Sequence, residues 1–229
     1  MNEAKKVLDH GLLRLVDSMG SDLSIVRNAR VSYDAAWRAG EDKGSDARLI
    51  NYLYNNGHNT PFEAVTVSFE VKAPIFVFRQ WHRHRTQSFN ELSARYRELP
   101  EEFYIPEAAQ ITTQSTDNKQ MRTDEIHPEA NFWRGKMKEH NENAFGLYRG
   151  MLEEGVPREL ARSVLPVGTY SHMFATSNLN NWFKFLAERL HPHAQYEIRV
   201  YAEAILEELK KIAPIATQAF IDSYTKSVG

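Results

Sequence analysis

From Val65 to Lys72 the chain alternates Val65, Val67, Phe69 and Val71 with Thr66, Ser68, Glu70 and Lys72. A period of two belongs to a strand with one apolar face and one wet face, so the fold must contain a sheet. Pro74 follows at a position where a first helical residue can lack its N–H, which predicts a helix from Ile75 to about His82 facing the core.

The rest of the chain reads mainly as helix. Ser21 or Asp22 caps a first helix through Ala29, and 37–46, charged and carrying Gly40 and Gly44, reads as a surface loop. A second helix starts at Asp46, carries Leu49, Ile50, Leu53 and Tyr54 on one side, and stops at Asn55-Asn56-Gly57. Between Ala108 and Pro128 the composition turns to Gln, Thr, Ser, Asn and Asp, the mark of an exposed loop or insertion. Helices are predicted over 128–154, 157–165, 177–190 and 193–212. With no repeat of 20 to 50 residues, the sum is an α+β single domain over 1–229. It combines a small, mostly antiparallel sheet packed by helices with a helix-rich C-terminal half.

Composition removes several chemistries. The 229 residues include no cysteine, which excludes disulfide staples, thiolate-bound metals and a thiol nucleophile. With 28 Lys+Arg against 30 Asp+Glu the formal charge is −2, so no overall basic field favours nucleic acid. No run approaches the ~18 apolar residues of a membrane span. The first sixteen residues carry too many charges for a secretory signal, and the reading is a cytoplasmic protein.

Positive charge is concentrated in one place. Arg79, His82, Arg83, His84 and Arg85 lie together, Arg95 and Arg97 follow, and Glu91 alone opposes them. Guanidinium forks match phosphate oxygens, while Ser88, Asn90 and Ser93 offer the single hydrogen bonds that read a heterocycle or ribose. An anion site is predicted, with a solvated basic face as the competing explanation. His82/His84, His191/His193 and His58 invite a metal, but permanent charges at Arg83 and Arg85 cost Coulomb energy beside a divalent cation, so no metal is assigned. Neither G-x-S-x-G, G-x-x-x-x-G-K-[ST] nor G-x-G-x-x-G occurs. Phosphates would therefore be held by side chains.

The stretch Arg83-His84-Arg85-Thr86-Gln87-Ser88-Phe89-Asn90-Glu91-Leu92-Ser93-Ala94-Arg95-Tyr96 resembles the signature R-H-R-x-x-S-x-N-E-x-S-x-R-Y of flavin-dependent thymidylate synthases at all nine specified positions. Gly57-His58-Asn59-Thr60-Pro61-Phe62-Glu63, Ala73-Pro74-Ile75-Phe76, Arg79-Gln80-Trp81, Glu159-Leu160-Ala161-Arg162 and Leu165-Pro166 are similar too, as are Leu186, Arg189, His193, Ala194, Gln195 and Glu197.

The resemblance implies a homotetramer with sites shared between subunits. It would bind FAD, convert dUMP to dTMP with methylenetetrahydrofolate as one-carbon donor and NADPH as reductant, and act on small molecules without nucleic acid or membrane. By the same resemblance dUMP would meet Gln80, Arg83, Glu91, Leu92, Ser93, Ala94, Arg95, Arg162 and Arg189, with Arg189 catalytic at the uracil ring. FAD would meet Ser32, Thr60, Glu63, Arg83, His84, Arg85, Glu91, Asn178 and Asn180, with Lys184 where several members have asparagine. His58 would lie near folate or flavin. An ordinary thymidylate synthase activates C5 of uracil by adding a cysteine thiolate at C6, and a chain without cysteine is compatible with the flavin route. The rival reading is a non-enzymatic RNA- or nucleotide-binding module that stacks bases on Trp81, Phe89 and Tyr96.

Overall fold

The computed structural model describes residues 3–228. Its main sheet has the order β1-β2-β3-β7-β4, every neighbour antiparallel. The strands are β1 (Lys5–Val7), β2 (Gly11–Met19), β3 (Thr66–Pro74), β4 (Ser88–Glu91) and β7 (Tyr170–Asn178). A separate hairpin is built from β5 (Thr112–Gln114) and β6 (Arg122–Ile126). The helices are α1 (Asp22–Arg30), α2 (Lys43–Asn55), α3 (Ile75–Trp81), α4 (Ala130–Glu153), α5 (Arg158–Ala161), α6 (Leu179–Arg189), α7 (Tyr196–Ile212) and α8 (Pro214–Val228).

The alternation around Phe69 forms the predicted strand, and its two faces diverge as the pattern requires. Val67, Phe69 and Val71 pair with Ser177, Ala175 and Met173 of β7 and are fully buried. Trp182 of α6 crosses Phe69 edge-on at 5.1 Å and donates its indole N–H to the Val67 carbonyl at 3.1 Å, so helix and sheet are locked by packing and by a buried hydrogen bond. The polar face is not simply wet. Glu70 is only 7% exposed, where Arg14 of β2 and His172 of β7, the latter at 2.7 Å, pair with it. At the β2 end Gly11 is required by close approach: a Cβ there would run into the Tyr201 hydroxyl and the Val7 carbonyl.

Several boundaries differ from the sequence reading. Asp42 caps α2 through Gly44 and Ser45, so that helix starts three residues before Asp46, inside the expected loop. Pro74 ends β3, opposite Tyr170, and precedes α3 instead of opening it. The polar 108–128 segment is an ordered hairpin pinned to α7 by Arg122. The predicted helix from Ser177 begins only at Leu179, because 170–178 is the second central strand; Asn178 ends that strand and caps α6 by accepting the Asn181 N–H at 2.9 Å. The helix expected from His193 starts at Tyr196.

Candidate active site

Immediately after α3 the chain turns tightly, with the His82 N–H on the Phe78 carbonyl at 2.8 Å and the His84 N–H on the Trp81 carbonyl at 2.9 Å. The buried Trp81 indole donates to Gln87 Oε1 at 2.9 Å, closing the turn before β4. This geometry splits the basic run. Arg83 and Arg85 point into solvent, and among the described residues neither guanidinium pairs with a carboxylate. His84 points inward, its side chain 8% exposed and its ring 4.7 Å from Phe185.

Arg189, at the C-terminal end of α6, meets His84 there. Its Nε donates to His84 Nε2 at 2.9 Å and its Nη2 to the Gln80 carbonyl at 3.3 Å. An imidazole nitrogen that accepts from a guanidinium must carry a lone pair, so His84 is neutral. Burial, then the Arg189 charge, pushes its pKa down to about 4, with Glu188 at 3.7 Å pulling weakly the other way. The unfolded histidine titrates near 6.5, so below that pH the unfolded chain binds a proton that the folded chain refuses until about pH 4. Stability is therefore lost as pH falls from about 6.5 to about 4. Melting of the apoprotein should show the Tm advantage of wild type over His84→Gln shrinking across that window. A constant difference would contradict the neutral assignment.

The Gln80 side chain donates to Gln195 Oε1 at 2.6 Å, which ties the end of α3 to the turn before α7. Along α6 lie further candidates. Asn180 donates to Glu63 at 3.3 Å, while Ser177 and Asn181 both donate to the Thr86 carbonyl, at 3.0 and 3.4 Å. Lys184, exposed, reaches Asn181 Oδ1 at 3.4 Å. Thus α6 is the element along which Asn178, Asn180, Lys184 and Arg189 are set out. Glu91 on β4 accepts from Ser171 at 2.6 Å, and the neighbouring Leu92 N–H is held by the His172 carbonyl at 2.7 Å.

A second cationic pair gathers around Glu159. Its carboxylate meets Arg95 at 3.3 Å and its backbone carbonyl accepts from Arg162 Nε at 3.3 Å, while the Ser93 hydroxyl accepts the Arg95 N–H at 3.3 Å. Ala94 is buried beside them. No hydrogen bond or ion pair among the described residues joins this group to the His84–Arg189 group. Ser32, Thr60 and His58 are exposed, and among the described residues no hydrogen bond or ion pair joins them to either group; His58 stacks on Tyr52 at 5.9 Å. Ser171 is a partner that charge and motif alone do not reveal, because a neutral side chain gains its role here from the strand that presents it; Gln195 is marked by the resemblance, but its bond to Gln80 is not.

Two unpaired guanidiniums in solvent, a neutral histidine between them and a fixed guanidinium behind it suit a phosphorylated ligand that also carries a polarisable heterocycle. A family model described as thymidylate synthase complementing protein matches residues 14–215. The chain belongs to this family. Family members named flavin-dependent thymidylate synthase include one from Thermus thermophilus, 48% identical over 214 residues that cover 93% of this chain and 77% of the relative. Another, from Ehrlichia ruminantium (strain Gardel), is 46% identical over 218 residues covering 95% and 72%. Among solved structures, the UMP/dUMP methylase PolB from Streptomyces cacaoi bound with 5-Br dUMP superposes with a TM-score of 0.87 at 37% identity, covering 95% of this chain and 97% of that one. The α+β architecture of this family member is thus shared with solved methylases.

Proposed function

We propose that this chain methylates dUMP to dTMP reductively, with FAD as bound cofactor, methylenetetrahydrofolate as one-carbon donor and NADPH as reductant. The observation that carries the reading is Arg189 held against a neutral His84 directly behind the solvent-facing Arg83 and Arg85. The names of the relatives and of the methylase neighbour support the same chemistry.

The residues fit a flavin dinucleotide. Among the described residues Arg83 and Arg85 pair with no carboxylate and are suited to a pyrophosphate, and the polar run of Glu63, Asn178, Asn180 and Lys184 lies along one helix and the turn beside it. Ser32, Thr60 and His84 belong to the same proposed flavin set, with His58 beside flavin or folate. When bound, the flavin supplies the reducing equivalents that complete the methyl group. The protein's part is to bind, orient and polarise. C5 of uracil becomes nucleophilic when negative charge can spread to N3 and the carbonyl oxygens, and Arg189 is pre-oriented by His84 and the Gln80 carbonyl to stabilise it. Ser93 serves as a hydrogen-bonding residue for the nucleotide, since a serine hydroxyl without a base is a weak nucleophile. Gln80, Arg83, Glu91, Leu92 and Ala94 complete the proposed nucleotide contacts.

Arg95 and Arg162 converge on Glu159, and we assign them to the dUMP phosphate. Charge-assisted hydrogen bonds are worth roughly 1.5–3 kcal/mol, so Arg162→Ala should raise the KM for dUMP about tenfold or more. Arg158→Ala, whose guanidinium pairs with Glu98 at 3.5 Å, should leave it unchanged. Equal KM shifts in both variants would remove Arg162 from the clamp.

The exposure of Arg83, Arg85 and Arg95 supports a homotetramer in which a neighbouring subunit closes each site. Among the described residues no helix is long and apolar enough to cross a membrane, and a cytoplasmic site of action completes the proposal. The direct test is an absorbance spectrum of the purified chain, followed by tritium release from C5-labelled dUMP. A flavin spectrum with release of label is the expected result. Colourless protein that binds oligonucleotides in a salt-dependent way would favour the RNA-binding alternative instead.

A further inference from the structure

A cavity of about 500 Å3 lies between the β5–β6 hairpin and the turn that leads into α7. Small-molecule sites typically measure ~300–1,000 Å3, so the volume is sufficient for a substantial part of a ligand. Its walls bring Arg122 and Asp124 of the hairpin opposite His193, Gln195, Tyr196 and Arg199.

The charges there are not equally available. Arg122 is committed to structure: it donates to Glu197 at 3.3 Å and to the Gln110 carbonyl at 3.0 Å, and its guanidinium lies 5.6 Å over the Tyr196 ring. Glu197 is buried at 2% exposure and also accepts the Tyr104 hydroxyl at 3.1 Å, so its charge is turned away from the cavity. Arg199 differs. Its Nη1 donates to the Pro192 carbonyl at 3.1 Å, its nearest carboxylate, Glu203, stands 4.0 Å from Nε, its charge reaches the Tyr224 hydroxyl, and among the described residues its Nη2 makes no hydrogen bond. Asp124, exposed on the hairpin, is the single carboxylate in the lining. The wall therefore offers one half-satisfied guanidinium beside an aromatic ring. Gln195 in the same wall accepts from Gln80, whose carbonyl holds Arg189. An occupant of the cavity would thus lie one hydrogen-bonded side chain from the proposed nucleotide site.

We propose that this cavity holds the anionic end of the second co-substrate, gripped by Arg199. The proposal rests on the dUMP-methylating reading. The shared chemistry is a carboxylate or phosphate on a flexible arm, and two molecules of the reaction carry one: the glutamyl carboxylates of the folate donor and the phosphates of the nicotinamide dinucleotide.

The test compares the flavin-loaded enzyme with Arg199→Ala, Arg199→Lys and Gln120→Trp, the last filling the cavity from an exposed hairpin position. KM is measured for dUMP, methylenetetrahydrofolate and NADPH, and the apoprotein is titrated calorimetrically with 5-formyltetrahydrofolate and with NADP+. Arg199→Ala and Gln120→Trp should each raise the KM of one anionic co-substrate about tenfold, weaken its titration to match and leave the KM for dUMP unchanged. Arg199→Lys should fall between them and wild type. Which co-substrate moves identifies carboxylate or phosphate as the ligand. The proposal is overturned if neither co-substrate responds, or if dUMP shifts in step with them, since that would make Arg199 a residue of the fold. A wild-type chain that forms no dTMP would sink the functional reading alone; the titrations would still decide whether Arg199 holds an anion.

Discussion

Replacing Arg189 by alanine should lower the turnover of dUMP about 100- to 1000-fold, the cost of removing one preorganised donor aimed at developing negative charge. The effect is expected in kcat, because the guanidinium is proposed to act on charge that appears only as C5 becomes nucleophilic. Flavin should still bind, since the solvent-facing Arg83 and Arg85 are untouched and α6 is held by its own packing. Arg189→Lys should not restore the rate. An ammonium on a flexible stem cannot reproduce the fork that reaches His84 Nε2 and the Gln80 carbonyl together. Tritium release under saturating dUMP measures this directly, and a variant that keeps wild-type turnover would end the assignment.

The largest expected loss of stability follows Trp182→Ala, about 3–5 kcal/mol by the usual cost of deleting a buried large aromatic. Trp182 is fully buried, touches Phe69, Trp81 and Phe185 with ring centroids at 5.1, 6.4 and 5.8 Å, and satisfies the Val67 carbonyl. Alanine leaves a cavity and removes the indole hydrogen bond to the Val67 carbonyl. Trp182→Phe refills most of the space but not the hydrogen bond, and should recover much of the loss. Against a typical total of ~5–15 kcal/mol, the alanine variant should unfold at markedly lower denaturant. A midpoint within error of wild type would show that the helix–sheet contact is not what holds α6.

The same contact explains which parts of the fold were legible. Val65 to Val71 announced β3 because large apolar residues alternate with polar ones and the buried face must be filled. Its partner β7 was hidden. Of its buried positions paired with Val71, Phe69 and Val67, only Met173 is large and apolar; Ala175 and Ser177 are too small or polar to extend a hydrophobic period, and the large Phe174 between Met173 and Ala175 faces solvent. Leu12-Leu13 and Leu15-Val16 of β2 cluster in pairs that fit neither period, and a register shift between Leu15 and Asp17 breaks the alternation further. The hairpin at 112–126 reads as loop because its strands are short and polar, and its anchor, Arg122 on Glu197, is a long-range ion pair.

The candidate site divides along similar lines. The density of charge between Arg79 and Arg97 points to an anion site or to a solvated basic face, and only the motif chooses between them and supplies the chemistry. What sequence did not disclose is orientation: that Arg83 and Arg85 face out while His84 faces in, and that α6 brings Arg189 behind it. Those facts depend on a tight turn closed by Trp81 and Gln87 and on where β7 ends.

Asn178 makes that last point concrete, since one side chain marks both the end of a strand and the start of the helix that delivers Arg189. Eleven residues of helix separate cap from guanidinium, a fixed stagger of roughly 16 Å, and a single inserted residue would swing the side chain by about 100° around the helix axis. A residue inserted between Asn178 and Arg189 would turn the guanidinium away from His84, so this span behaves as a gauge block whose length fixes where that guanidinium lands.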